Sequence, residues 1–233
     1  MTLEWRHTLR GRLIVSCQAL PGSPLRNSAM IAALARCAVL GGAAAVRIDG
    51  PDDVAAVRLT LDVPIIGLYK VRGREPVYIT PTFTEARAIT DAGADIVAVQ
   101  ATQERARDAG ADPLPVLVER IHAECGVPVM ADVSTLEEGL AAEACGADLV
   151  ATTMAGYTPH SRRAAGPDLD LVRALADAIS VPVVAEGRIT TPEDAAAALE
   201  AGAWAVVVGR AITMPEAITE RFVRAVDRAA HRS

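Results

Sequence analysis

Short apolar runs alternate along this chain with longer stretches whose apolar residues recur at helical spacing. Eight runs read as buried strands: residues 13–17 (LIVSC), 43–48, 63–70 (VPIIGLYK), 95–100 (DIVAVQ), the VPVMAD run ending at Asp132, 148–153 (DLVATT), the VPVVAE run ending at Glu186, and 204–209 (WAVVVG). Their lack of polar alternation is the mark of strands covered on both faces. Between them, helices are expected over 3–10, 28–40, 51–61, 114–125, 169–179 and 215–230. Others open at the capping-box patterns Thr82–Glu85 and Ser134–Glu137, or at Thr191-Pro192-Glu193, and close at Gly93, near Gly146 and at Gly202.

The punctuation repeats. A Val-Pro step enters strands at 63, 127 and 181, spaced 64 and 54 residues apart, and a Gly-Ala step enters others at 93, 146 and 202, spaced 53 and 56. Each interval holds two β-α units, which makes four quarter-barrels in series. Eight apolar strands alternating with helices predict a parallel sheet covered by helices, closed as a single-domain (β/α)8 TIM barrel over residues 1–233, with a short helix ahead of the first strand. An open doubly wound sheet is the alternative, and the quarter repeat argues against it.

Composition narrows the chemistry. Apolar residues make up 51% of the 233 positions but aromatic ones only 3%, so the core must be built from Ala, Val, Ile and Leu. The net charge of -6 makes nucleic acid an unfavourable partner. The four cysteines (17, 37, 125 and 145) form no CxxC and are expected to be reduced core residues. With no signal-peptide core and no membrane-length apolar run, a soluble cytoplasmic protein is expected.

In such barrels chemistry sits at the carboxyl ends of the strands. Those positions hold Gln18, Arg47, Lys70, Gln100, Asp132, Thr152, Thr153, Glu186 and Arg210. For Gln100 and the threonines, polarity is explained by strand ends meeting water. Lys70, Asp132 and Glu186 are different: an amine closing an apolar strand is expensive unless paired or deprotonated, and two carboxylates on other strands converge on the same mouth. That set suits proton transfer. The last two ends read Glu186-Gly187-Arg188 and Val208-Gly209-Arg210, where glycine lets backbone N–H groups approach a phosphate. The four histidines (7, 122, 160 and 231) all miss the strand ends, so no metal site is expected there.

In order, the segments LIVSCQALPGSPL, VRIDG, PIIGLYK, YITPT, MADVST, TMAGYT, VVAEGRITTPE and VGRAIT resemble the N-acetylmannosamine-6-phosphate 2-epimerase family from about Gly11 to Val226. The resemblance implies a ribulose-phosphate-binding type barrel without an organic cofactor, acting on a phosphorylated amino sugar. It implies Lys70 as the catalytic lysine, with Glu186 and Asp132 beside it. Gln18, Arg47 and Thr153 would line the sugar, and Gly187, Arg188, Gly209 and Arg210 the phosphate. Similar proteins are often homodimers. They often carry a basic residue where this chain has Met214, a small one where it has Arg210, and Ser where it has Ala155.

The expected chemistry is inversion at C2. The carbon-bound proton becomes acidic when C1 is an aldehyde, and Lys70 is expected to take it. A Schiff-base aldolase on a phosphorylated keto acid and a non-catalytic phosphosugar-binding barrel are the competing readings.

Overall fold

The computed structural model describes residues 4–231. Eight parallel strands, β1 (Leu13–Cys17), β2 (Ala45–Asp49), β3 (Ile65–Leu68), β4 (Ile96–Gln100), β5 (Val129–Asp132), β6 (Leu149–Ala151), β7 (Val183–Glu186) and β8 (Ala205–Val208), close in sequence order. Closure comes from β1 pairing with β8 in the register Ile14↔Val207. Around them run α1 (Glu4–Leu9), α2 (Ser28–Leu40), α3 (Pro51–Arg58), α4 (Phe83–Asp91), α5 (Leu114–Arg120), α6 (Leu136–Ala144), α7 (Leu169–Ala178), α8 (Pro192–Glu200), α9 (Arg210–Thr213) and α10 (Pro215–Ala230). The expected TIM barrel is therefore the observed one; Leu3, the first residue of the expected leading helix, lies outside the described residues.

Side chains alternate across each strand. One parity, including Ile14, Ala45, Ile66, Ile96, Met130, Leu149, Val184 and Ala205, packs together in one cluster inside the barrel. The other parity packs outward under the helices, in two further clusters. The amino end is stoppered by α1. Its Trp5 and Leu9 join the inner cluster, and Trp5 meets Trp204 edge-to-face at 5.8 Å. Among the described residues this leaves the carboxyl end of the barrel interior open to a ligand.

Gly67 shows how tightly helices seat on the sheet. A Cβ there would lie 2.2 Å from Ile89 Cγ2 on α4 and 2.7 Å from Ala94 Cβ. Gly67→Ala should therefore lift α4 from β3 and cost about 1–3 kcal/mol. Thermal melting should fall by roughly 2–4 °C per kcal/mol in a chain of this size; an unchanged melt would refute this account of the packing.

Local differences from expectation have local causes. β3 ends at Leu68, and Lys70 makes a single antiparallel bridge to Ile79 because residues 71–78 fold back, Val71 N donating to Tyr78 O. The second capping box is Thr135–Glu138, one residue later than expected. The buried Glu138 carboxylate also accepts from the Ser134 N–H and hydroxyl. The expected 148–153 strand stops at Ala151 and winds into a 3-10 turn, Thr152–Met154. Residues Ile121–Cys125 widen into a π turn at the end of the expected 114–125 helix. The one-turn α9 and a 3-10 turn at Gln103–Arg107 carry no apolar periodicity that would have announced them. All four cysteines are free, but only Cys17 is buried; Cys37 is exposed on α2.

Candidate active site

The inward parity of most strands, continued past the apolar layers, reaches the mouth with a polar group, and that of β8 with a glycine. Ile14 leads to Ser16 and Gln18, and Ala45 to Arg47. Ile66 and Leu68 lead to Lys70, Met130 to Asp132, Ala151 to Thr153, Val184 to Glu186, and Val207 to Gly209. Of these, Ser16, Gln18, Arg47, Lys70, Thr153, Glu186 and Gly209 line one cavity of about 510 Å³, a size that suits a small phosphorylated sugar.

Arg47 is the hub. Its guanidinium is 2% exposed, donating through Nη1 to Glu186 Oε2 at 2.5 Å and through Nη2 to Asp132 Oδ2. The Thr153 hydroxyl lies 2.6 Å from Asp132 Oδ1 and 3.1 Å from Glu186 Oε2. One cation thus faces two carboxylates, leaving one uncompensated negative charge in a desolvated place. Burial pushes the Asp132 carboxyl up to about 6, against the opposing pull of Arg47 and with Glu186 adding to the rise. Burial alone would lower the Arg47 guanidinium, but the two carboxylates outweigh it and raise it. Asp132 is therefore a carboxyl that can hold a proton near neutral pH, beside an arginine that stays charged.

Lys70 is the only lysine in the chain. It is half-buried, and its Nζ donates to Gln18 Oε1 at 2.5 Å, while Gln18 Nε2 donates to Ser16 Oγ at 2.8 Å. Burial lowers its amine from the usual lysine range; Asp49 opposes that most strongly among its charged neighbours, ahead of Glu186 and Asp132, and Arg47 adds to the lowering. A lysine shifted this way is closer to serving as a base at neutral pH.

The glycine corner is half as expected. Gly187 and Arg188 both have positive φ, 110° and 54°, and Gly209 lets the chain pass with room for a Cβ only 3.3 Å from Ser16 Cβ. Arg188 is not an exposed cation. Its Nε donates to Gly166 O at 2.8 Å and its Nη1 to Ala155 O, tying down the loop after β6; Nη2 is buried without a partner. Arg210, the first residue of α9, is exposed at the rim.

Two residues depart from the water-facing explanation. Gln100 is 1% exposed, and its amide accepts from Tyr78 N at 3.1 Å and donates to Pro76 O and Thr102 Oγ1, both at 3.0 Å. It holds the fold-back loop rather than meeting solvent. Thr152 is buried too, donating to Glu186 O at 2.9 Å. Sequence reasoning passed over Tyr78, Met154, Tyr157, Arg221 and Arg224, which also line the cavity. Tyr78 stands in the quoted YITPT segment, but nothing in the pattern gave it a role. Among the described residues no group of three or more His, Cys, Asp or Glu side chains is placed to hold a metal ion.

Fold and site define an acid–base TIM barrel: one desolvated amine, two carboxylates around a buried arginine, and a glycine-bearing corner across the mouth. The family profile described as "Putative N-acetylmannosamine-6-phosphate epimerase" matches residues 31–228. Two relatives described as "Putative N-acetylmannosamine-6-phosphate 2-epimerase" are similar over most of their length. That of Caldanaerobacter subterraneus subsp. tengcongensis is 47% identical, with 96% of this chain and 94% of the relative covered. That of Thermosynechococcus vestitus is 49% identical, with 94% of each covered. The solved N-acetylmannosamine-6-phosphate 2-epimerase of Clostridium perfringens superimposes with a TM-score of 0.90 at 40% identity, over 95% of this chain and 96% of that one. The chain belongs to the N-acetylmannosamine-6-phosphate epimerase family.

Proposed function

We propose that this chain interconverts N-acetylmannosamine 6-phosphate and N-acetylglucosamine 6-phosphate, with Lys70 removing the C2 proton of the open-chain aldehyde and a proton then being delivered to the other face. The observation that carries the reading is the placement of the chain's only lysine, half-buried and opposite Arg47, Asp132 and Glu186. Loss of the proton puts negative charge on the C1 oxygen as an enolate. Asp132, with its raised carboxyl, and Glu186 are the groups to supply and take hydroxyl protons there, while Arg47 holds both in place. Gln18 and Thr153 orient the sugar. In deuterated water each epimer should acquire one deuterium at C2 as it converts; conversion without deuterium would rule out proton abstraction in exchange with solvent.

The phosphate is assigned to Gly187, Arg188, Gly209 and Arg210. Arg210 is the exposed cation of the set, so Arg210→Ala should remove one charge-assisted hydrogen bond, worth about 1.5–3 kcal/mol. That is roughly a ten- to hundredfold rise in KM with kcat nearly unchanged. An unchanged KM would take Arg210 out of the phosphate site.

A homodimer is part of the same reading. None of the residues of α10 is buried, and Phe222, Val223 and Val226 are 70%, 51% and 65% exposed. An apolar groove lies on the barrel wall between α8 and β8, lined by Leu13, Pro192, Leu199, Val206, Val208 and Ile212. It is the space the helix after β8 covers in a regular (β/α)8 ring. A second copy offering its α10 to that groove covers both surfaces at once. A monomer mass in solution at micromolar concentration would overturn this.

No described helix is long and apolar enough to cross a membrane. The four free cysteines fit a reducing, cytoplasmic setting; recovery of the protein outside the cytoplasm on cell fractionation would contradict it.

A further inference from the structure

Asp49 closes β2, beside the last residues of β3: Asp49 pairs with Leu68 in the sheet register, and Gly50 N donates to Leu68 O at 2.8 Å. Two residues past that pairing, the Lys70 N–H donates to Asp49 Oδ1 at 2.8 Å. On its other side the Lys70 backbone bridges to Ile79. Lys70 lies beyond the regular sheet, where a free strand end would swing, yet its backbone is held from both flanks. Asp49 is the only member of this clamp that carries charge.

We propose that Asp49 is a positioning residue for Lys70: its carboxylate pins the backbone from which the lysine reaches into the mouth, and so keeps an anion in the neighbourhood of the amine that is separate from the Arg47 cluster. The second half extends the reading of Lys70 as the base and rests on it.

The surroundings explain why a separate anion is useful. Asp132 and Glu186, on β5 and β7, are already committed to Arg47, whose own positive charge disfavours the ammonium. Arg72, on the same loop as Lys70, lies 3.6 Å from Asp49 Oδ2 and spends its charge there. On the far side, Arg26, Asp52, Asp53 and Glu85 line a polar cavity of about 540 Å³ that both Lys70 and Asp49 face. Asp49, 14% exposed, lines that second cavity, whereas Lys70 lines both it and the mouth; among the acids around the amine, Asp49 favours the ammonium most.

Because Lys70 is the only lysine, lysine-specific isotope labelling gives one backbone amide and one side-chain signal, read without turnover. Asp49→Asn keeps an oxygen for the Lys70 N–H and removes the charge; Asp49→Ala removes both; Asp49→Glu keeps the charge. In Asp49→Asn the side-chain titration midpoint should fall by about one pH unit, since the lost anion had favoured the ammonium. Its Lys70 amide should keep its hydrogen-exchange protection, whereas in Asp49→Ala protection should fall about tenfold, close to 1.4 kcal/mol. Asp49→Glu should restore the midpoint. A midpoint in Asp49→Asn that superimposes on the unaltered chain, or unchanged amide protection in Asp49→Ala, overturns the proposal. The acid limb of kcat/KM should follow the midpoint downward. A midpoint that moves while the limb stays supports Asp49 in this role and removes Lys70 as the base.

Discussion

Lys70→Ala should yield a folded barrel that no longer exchanges the C2 proton of its substrate. Lys70 lies beyond the end of β3 and contributes nothing to the inner apolar layers, so melting should be little changed. The Nζ is the one basic amine at the mouth. Asp132 and Glu186 share Arg47 and the Thr153 hydroxyl, which holds their oxygens in place. General-base catalysis contributes about 10²–10⁴-fold, and here the whole proton transfer depends on it, so the loss should fall at the upper end of that range. The measurement is deuterium incorporation at C2 followed by proton NMR. A variant that exchanges at the unaltered rate removes Lys70 from catalysis. Lys70→Arg is the sharper control: it keeps the positive charge but has no accessible neutral form, and it should be as inactive as alanine.

Arg47→Met should be the most destabilising single change in the site. Methionine fills much of the space and adds no charge, but Asp132 and Glu186 then lose the cation between them. Removing one partner of a buried pair costs about 3–5 kcal/mol, which in a chain of this size lowers the melting temperature by roughly 10 °C at neutral pH. The deficit has a predictable pH dependence. Without Arg47, two neighbouring carboxylates in a desolvated place must have folded-state pKa values raised above the unfolded value of about 4. A group raised on folding contributes stability below its unfolded pKa and loses that contribution as pH rises through the folded one. The melting deficit should therefore shrink as pH is lowered toward 5. In the unaltered chain Asp132, pushed up to about 6 by burial, acts with the same sign over the same window, more weakly because Arg47 opposes it. A variant that melts like the unaltered chain at neutral pH, or whose deficit grows on acidification, would show that Arg47 does not hold the carboxylates together.

The strand-and-helix alternation, the order of the eight strands and the mouth residues on them were all legible from the amino-acid pattern. Each depends on short-range rules. A buried strand repeats every two residues, so parity alone carries Ile66 and Leu68 to Lys70, and Val184 to Glu186. A helix start depends on a cap three residues from its partner, which is why Thr82–Glu85 was readable; the box at Thr135–Glu138 was missed by one step because Ser134 bonds the same glutamate. Gln100 was misread for a related reason: its strand position was clear, but the fold-back loop that buries its amide comes from a separate segment.

By itself, then, the sequence determined the barrel and which strand-end side chains face its mouth, because periodicity is written in neighbouring residues; the loop and helix residues that line the rest of the cavity were not written there. Only the tertiary structure decided how those side chains use one another. Arg47 meets Asp132 and Glu186 across 85 and 139 residues of chain, Asp49 reaches the amide of Lys70 across 21, and α10 leaves Phe222, Val223 and Val226 exposed. Such pairings follow from closure and strand register, which place side chains within hydrogen-bond reach only once the whole sheet has formed.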